Sequence, residues 1–322
     1  MLTALEELLQ DDTAGDPIRG VKWTRTTPEK LSRALRRQGF RVGRTTIRRL
    51  LQARGYTLRV NRKRLSRRQD PQRDRQMRYI ARQRRRFLHA GWPVISVDTK
   101  KRELVGNFRN AGRTWRRTPL EVLATDFPSD ADGKAIPYGV YDLQRNRGYI
   151  ALGTSHQTAE LAVATIRTWW QQVGRMAYAG HEHLLILADS GGANSCRSWG
   201  WKAGVQALAD EFTLTITVMH YPPGASKWNP IEHRLFSPIS QNWAGQPLVN
   251  YETILKFIRT TKTRGGLRCR AYVDPTAYKT GRKLTTKEIA QIKVSPHRLL
   301  PSWNYTIKPC SEHVTSEQVI FG

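Results

Sequence analysis

The apolar positions along this chain change their spacing near residue 91. Before that point they are sparse and helical in period. After it they gather into short unbroken runs that alternate with longer periodic stretches. In the first part Leu31, Ala34 and Leu35 form one stripe over residues 27–38. Thr27 is placed to cap that helix, Pro28 to occupy its first turn and Gly39 to end it. A second helix is predicted from Arg44 to Arg54, with Ile47, Leu50 and Leu51 inward and Gly55 closing it. The joining turn, GFRVG, is short and glycine-bearing, which suits a helix-turn-helix. Arg44, Thr45, Arg48, Arg49 and Gln52 then face outward, a set suited to phosphates and base edges. The plainer alternative is a solvated basic hairpin. The following GYTLRVNRKRL reads as a small wing or an extended basic arm. Residues 70–90 read as another helix, with Met77, Ile80, Ala81, Phe87 and Leu88 on one side and arginine over much of the rest. It is expected to connect two domains and to lie along a DNA backbone, the alternative being a solvated connector.

Beyond Gly91, WPVISVDT has the unbroken apolar run of a buried strand. PYGVYDL and GYIALGTS read as two strands of a hairpin turning at residues 144–147. Residues 158–178 are predicted to form a helix, HLLILAD a strand, Ser198 to Phe212 a helix and LTITVMHYP a strand. Helices are predicted from Pro230 to Asn242 and from Tyr251 to Thr261. This order is that of an RNase H-like mixed sheet flanked by helices, an α/β fold, preceded by a small all-α helix-turn-helix DNA-binding domain. The expected organisation is residues 1–66 for the helix-turn-helix region, 67–91 for a basic connector helix, 92–262 for the catalytic domain and 263–322 for a C-terminal extension.

Charge sharpens this picture. The 322 residues carry 54 Lys and Arg against 26 Asp and Glu, a net charge of +28, which points to a polyanionic partner, nucleic acid or an anionic membrane surface. From Pro17 to Ala90 there are 25 basic residues and 3 acidic ones, so the positive charge is concentrated ahead of the α/β part. That asymmetry fits a DNA-binding module placed before a catalytic domain. The longest central apolar run, Leu184 to Ala188, is of strand length, so no membrane span is expected. The N-terminal MLTALEELLQDDTAG is acidic and lacks a positive leader region, so it does not read as a signal peptide. Three well-separated cysteines form no zinc pattern and suit a reducing cytoplasm.

Three carboxylates stand out by position. Asp98 ends the first strand in ISVDTKK, Asp189 ends LLILAD ahead of the turn SGGAN, and Glu232 lies in the first helical turn of KWNPIEHRLF. An acid at the end of an apolar strand stands at a sheet edge, where ligands and metals are commonly held. Mg²⁺ takes oxygen ligands and is usually bound by one or two carboxylates plus substrate phosphate oxygens. Each acid also has a structural reading, as a turn cap or as a charge favoured at a helix N-terminus. Asp126 and Asp142 are reserve acids, better suited to turn or structural roles. His181 and His183 in GHEH are spaced like metal ligands but have one acid beside them, and they read as a surface loop. His233 adjoins Glu232 and either tunes the site or faces solvent.

The segments ISVDTKKRELVGNFRNAGRTWR, AIPYGVYDL, LLILADSGGANSCR and HYPPGASKWNPIEHRLFSPISQNWAG closely resemble the Rhodopirellula-type (ISAzo-type) insertion-sequence transposases. The last segment is also similar to the wider mariner-like superfamily, in which an Asn-Pro-Ile-Glu stretch carries the final acid. The resemblance runs from about Leu5 to Ile307. It implies that Asp98, Asp189 and Glu232 are the catalytic acids and the ligands of two Mg²⁺ ions, for which Mn²⁺ can substitute. The 42 residues between Asp189 and Glu232 leave room for one helix and one strand, as predicted above. The resemblance implies hydrolysis of the phosphodiester at a transposon end, with water activated between the metals, and then attack of the freed 3′-hydroxyl on target DNA. No Tyr or Ser nucleophile and no organic cofactor is needed. Lys100, Lys101 and Lys227 are candidate phosphate clamps, and Trp228 and Asn229 candidate contacts near the scissile bond. The implied partners are double-stranded DNA, both transposon ends and target, and further copies of the chain on that DNA. The implied location is the bacterial cytoplasm, with the nucleoid.

Relatives of this kind carry a further N-terminal helix-turn-helix segment, and this chain is expected to begin where that segment ends. Two other readings therefore stand beside an active transposase. One is a truncated, non-catalytic DNA-binding remnant, inhibitory or inert. The other is a nuclease of the same fold that only hydrolyses.

Overall fold

The computed structural model describes residues 1–11, 13–15, 22–24, 26–58 and 71–310. The chain divides into two compact units, Met1–Leu65 and Ser66–Gly322. In the first, helix α1 (Leu2–Asp11) is followed by a short antiparallel pair, β1 (Thr13–Gly15) and β2 (Lys22–Thr24), and by helices α2 (Pro28–Arg37) and α3 (Arg44–Ala53). The Thr27 hydroxyl caps α2 by accepting from the Lys30 amide at 3.3 Å, with Pro28 in the first turn. Gly39 after α2 and Gly55 after α3 take φ of +90° and +79°, the left-handed conformation that lets a chain leave a helix abruptly. Leu5, Leu9, Leu31, Leu35 and Ile47 form a small buried core. An Arg54–Glu6 ion pair at 2.6 Å closes one side of it. The acidic N-terminal stretch is thus the third helix of this core, its leucines spaced to meet α2 and α3. Most of the segment expected as a wing or arm lies outside the described residues.

The second unit opens with helix α4 (Arg73–His89) and strands β3 (Val94–Thr99) and β4 (Glu103–Val105). The hairpin β5 (Gly133–Asp142) and β6 (Arg147–Gly153) leads to α5 (Ala159–Trp169), which runs through a π-turn at Trp170–Gly174 into the single turn α6 (Arg175–Ala177). Then come β7 (His183–Asp189), α7 (Trp199–Phe212), β8 (Thr215–Tyr221) and a π-turn at Glu232–Phe236 continuing into α8 (Ser237–Asn242). Helix α9 (Tyr251–Thr260), β9 (Arg268–Asp274), α10 (Thr286–Ala290), β10 (Val294–Pro296) and β11 (Asn304–Ile307) complete the unit. The strands form one mixed sheet in the order β10-β11-β8-β7-β3-β5-β6-β9, with β4 attached to β5. Its centre is the parallel set β3, β7 and β8, and β5 runs antiparallel to β3. Among the described residues no helix is long and apolar enough to cross a membrane.

Alternation along the central strands divides the core. Ile95, Val97, Leu184, Ile186, Ala188, Ile216 and Val218 face α5 and α7, where Trp169 and Trp201 are fully buried. Val94, Leu185, Leu187, Met219 and Tyr221 face α4 through Ile80 and Phe87. Further along that second face, Tyr141, Ile150 and Leu152 pack against Ile231, Leu235 and Phe236 and against α9. The segment expected as a connector is therefore a packed layer of the sheet. Residues beyond 262 belong to the same fold, β9 pairing with β6 and β11 with β8.

Asp142 takes the structural role open to it. Its Oδ1 accepts from the amides of Gln144 and Arg145, both at 3.1 Å, and from the Tyr178 hydroxyl at 2.7 Å, fastening the β5–β6 turn. Asp126 is exposed in the loop before β5. Buried Gln76 of α4 donates to the His220 carbonyl at 2.9 Å and to Asn304 Oδ1 at 2.7 Å, while Asn304 Nδ2 donates back to Gln76 Oε1 at 2.8 Å. Replacing Gln76 by Ala strands a buried amide and a carbonyl, each costing about 1–3 kcal/mol. We expect Gln76→Ala to lower the unfolding free energy by about 2–4 kcal/mol in denaturant titration. A change below about 0.5 kcal/mol, the usual range for a surface substitution, contradicts this account.

Candidate active site

The three acids predicted from their motifs lie at one edge of the central sheet. β3 and β7 run parallel with Val97 opposite Ala188, both facing α5 and α7. The next residues along, Asp98 and Asp189, therefore point to the other face from strands about 4.8 Å apart. Tyr221 lies opposite Asp189 on β8 and faces the same way. Glu232 comes from the π-turn after β8, half-buried.

That turn is fastened to β3 by a buried polar lock. The Ser96 hydroxyl donates to Asn229 Oδ1 and accepts from the Ile231 amide at 3.1 Å, and Asn229 Nδ2 donates to the Val97 carbonyl at 3.3 Å. Pro230 separates Asn229 and Ile231, so the Asn-Pro-Ile-Glu stretch carries both the anchor and the acid. Gly139 of β5, opposite Asp98, leaves room for the turn to descend: a Cβ there would lie 2.7 Å from Phe236 Cε1 and 2.9 Å from Ile231 Cδ1.

The main chain at Asp189 is held by a directional chain of hydrogen bonds. A carbonyl can only accept, so the His220 Nδ1–H donates to the Asp189 carbonyl at 2.8 Å. His220 Nε2 then accepts from the Tyr305 hydroxyl at 3.1 Å, whose oxygen accepts from Trp201 Nε1 at 2.9 Å. This chain needs a neutral imidazole, and burial lowers the His220 pKa to about 4.

The carboxyls are electrostatically uncomfortable together. Burial, then the charge of Asp189, and lastly that of Glu232 push Asp98 up to about 8, against the Thr99 amide that donates to its Oδ1 at 2.7 Å. Burial and then the Glu232 charge raise Asp189 to about 6, and a hydrogen bond from Asn229 opposes the shift. Glu232 is raised by burial, with His233 and Lys100 opposing. Among the described residues, the buried Asp189 Oδ1 meets no hydrogen-bond partner. Hard oxygen donors of like charge, one of them unsatisfied, suit a divalent cation such as Mg²⁺ or Mn²⁺. Yet no group of three or more His, Cys, Asp or Glu among the described residues is already arranged to hold a metal ion. The donor set fits an open site of one or two carboxylates completed by a substrate, rather than a closed protein cage.

The other predicted residues divide by burial. Arg44, Thr45, Arg48 and Arg49 are exposed on α3. Lys101 and Lys227 are exposed as well, with the Lys227 ammonium 5.4 Å from the centre of the Trp228 ring. Lys100 is buried, paired with Glu103 at 2.6 Å and lying 4.4 Å from the Trp243 ring centre. Asn229, expected at a DNA contact, is fully buried in the lock described above, because its amide is needed between β3 and the π-turn. His183 begins β7 and stacks on Trp92 at 4.1 Å, and His233 contacts the Lys227 carbonyl. Ser96 was not singled out along the chain, although its place two residues before Asp98, on the same face of the strand, is a signal that could have found it. His220, Tyr305 and Trp201 carried no local signal, since they are joined only by folding.

Fold and site together define a mixed α/β protein with an acidic cluster at the carboxyl end of its parallel core. The chain belongs to the family described as Rhodopirellula transposase DDE domain, which it matches over residues 4–309. No curated protein matches it. Among solved structures it is similar to a Mos1 transposase paired-end complex with left transposon end, at 15% identity and a TM-score of 0.46, over 80% of this chain and 69% of that one. It is also similar to a mariner Mos1 paired-end complex with Mn, at 16% identity and a TM-score of 0.44, over 80% and 70%.

Two predictions follow from the geometry. A side chain at position 139 forces the π-turn away from β5, so Gly139→Val should cost about 1–3 kcal/mol of stability, and an unchanged denaturation midpoint contradicts the close approach. Because Asp98 and Asp189 are raised in the fold, their protonated forms stabilise it at low pH. That stability is lost as pH climbs from the ordinary carboxylate range through about 6 and 8. In metal-free buffer Tm should fall between pH 5 and 8.5, Mn²⁺ should restore it most at the upper end, and Asp98→Asn should flatten both effects. Equal Mn²⁺ stabilisation of native and Asp98→Asn protein overturns the assignment.

Proposed function

We propose that the chain is the DNA transposase of a bacterial insertion sequence. In this reading Asp98, Asp189 and Glu232 are the catalytic acids and the holders of two divalent metal ions, Mg²⁺ or Mn²⁺. The observation that carries it is the pairing of Asp98 and Asp189 on one face of adjacent parallel strands, with a buried Asp189 oxygen left unsatisfied. The strand order, in which antiparallel β6-β5-β3 adjoins parallel β7-β8, supports an RNase H-like catalytic domain. Membership of a DDE transposase family supports the same reading.

Metal ions bound there supply the positive charge that an in-line displacement at phosphorus requires. The chain's own groups do the rest. The Thr99 amide orients Asp98, and the neutral His220 imidazole holds the main chain at Asp189. The Ser96–Asn229 lock sets Glu232 against β3. With their pKa values raised, the acids release protons as cations bind, so catalysis should favour mildly alkaline pH. Lys101 and Lys227 lie exposed for phosphate contacts, and Arg44, Thr45, Arg48 and Arg49 offer α3 as a DNA-reading surface. The products are a cleaved transposon end and, after attack by its 3′-hydroxyl, a joined target strand. Further copies of the chain are the expected means of bringing two ends together.

The test is cleavage and strand transfer on labelled transposon-end DNA with Mg²⁺ or Mn²⁺, comparing native chain with Asp189→Asn. Native protein should cut and join, and the variant should bind equally while losing about 10²–10³-fold in rate, as when one group that stabilises developing charge is removed. Equal binding with no cutting by either protein, under any metal, turns the reading to a non-catalytic DNA-binding remnant.

A further inference from the structure

Arg75, Arg78, Arg82 and Arg85 recur on α4 at three- and four-residue intervals, so they form one exposed stripe. Together with Arg298, from the loop between β10 and β11, they line a groove of about 1070 Å³ in which, among the described residues, Asp74 is the one carboxylate. Among the described residues none of these five guanidinium groups is ion-paired with an acid. The groove is also partly organised. Tyr79 is pinned by its hydroxyl to His297 Nδ1 at 2.9 Å and holds the Arg82 guanidinium 5.1 Å from its ring centre.

Among the described residues, the packing of α4 does not use this stripe. α4 is held to the sheet by Gln76, Ile80 and Phe87 on its opposite side. Like charges three and four residues apart destabilise a helix. A cluster that works against its own helix, with no acid paired to it among the described residues, calls for an external polyanion. The ten helical steps from Arg75 to Arg85 cover about 15 Å. A duplex lying along it presents one phosphate charge about every 1.7 Å of axis. Forked guanidinium groups suit phosphate oxygens better than a point-charge ammonium does, yet either can neutralise a phosphate.

We propose that this groove is a sequence-independent seat for the sugar–phosphate backbone of duplex DNA, distinct from the carboxylate cluster and from the outer face of α3. It rests on the transposase reading only in taking DNA as the partner. The groove shares no lining residue with the three acids, so it can be tested without chemistry.

The measurement is binding of a random-sequence duplex to the full chain in EDTA, by fluorescence anisotropy over a range of salt concentrations. Three proteins are compared: native, a variant with Arg75, Arg78, Arg82 and Arg85 all changed to Gln, and one with all four changed to Lys. In the Gln variant the slope of log K against log salt should become shallower by about 3–4, and affinity at physiological salt should fall about 10–100-fold. The Lys variant should keep most of both. Tm of the Gln variant should stay level or rise, since repulsion is relieved. A native slope in the Gln variant overturns the proposal. So does an equal loss in the Lys variant, which assigns the effect to side-chain shape rather than charge. The assay is run without metal and scores no cutting, so a failure of the catalytic reading leaves this result standing. A native chain that binds no duplex at all overturns both.

Discussion

Two carboxylates set side by side on neighbouring parallel strands, partly withdrawn from water, impose the main constraint on the second unit. Burial together with neighbouring acids drives both Asp98 and Asp189 above the usual carboxylate range. A pair in that condition is a standing cost to the fold. Its position is nevertheless held from several sides: by the strand register, by the Thr99 amide, by His220 behind Asp189 and by the Ser96–Asn229 lock that brings in Glu232. Groups fastened this well in an unfavourable electrostatic state mark a site shaped for a ligand rather than for stability.

Charge of the opposite sign gathers elsewhere in the second unit, where the α4 arginines stand three and four residues apart on one exposed stripe, at a cost to their own helix. Lys100 is the instructive exception. Placed beside the acids in sequence, it is buried with its ammonium between Glu103 and the Trp243 ring, so its charge is largely spent inside the protein. Lys100 thus completes the wall of the site, whereas Lys101 and Lys227 stay exposed.

Much of the second unit was legible along the chain. Unbroken apolar runs marked β3, β7 and β8, and each of the three acids sits at the strand end or first turn predicted for it. Buried strands and amphipathic helices announce themselves through spacing, and an acid that closes an apolar run is conspicuous. The helix at the N-terminus was less visible, because LTALEELL was judged by its charge and not by its leucine spacing. α4 was read as an arginine-rich connector although its apolar side was seen, because spacing along one helix does not say which surface that side meets, and the buried Gln76 was not part of the pattern.

By itself, then, the sequence determined the central strands and helices, where the three acids stand along them and the family to which the chain belongs, because these depend on local periodicity and on motifs that are contiguous in the chain. Tertiary structure alone decided which distant groups meet. His220, Tyr305 and Trp201 line up behind Asp189 because β8, β11 and α7 converge there, although Trp201 and Tyr305 are 104 positions apart. Asn229 was drawn inward because the turn that carries Glu232 is anchored to β3 through its amide. The β10–β11 loop brought Arg298 across from the α4 stripe, making a groove of what the chain shows as a line of charges. Spacing records what lies on one face of one element, whereas sites arise where faces of several elements are pressed together by burial of the apolar surface between them.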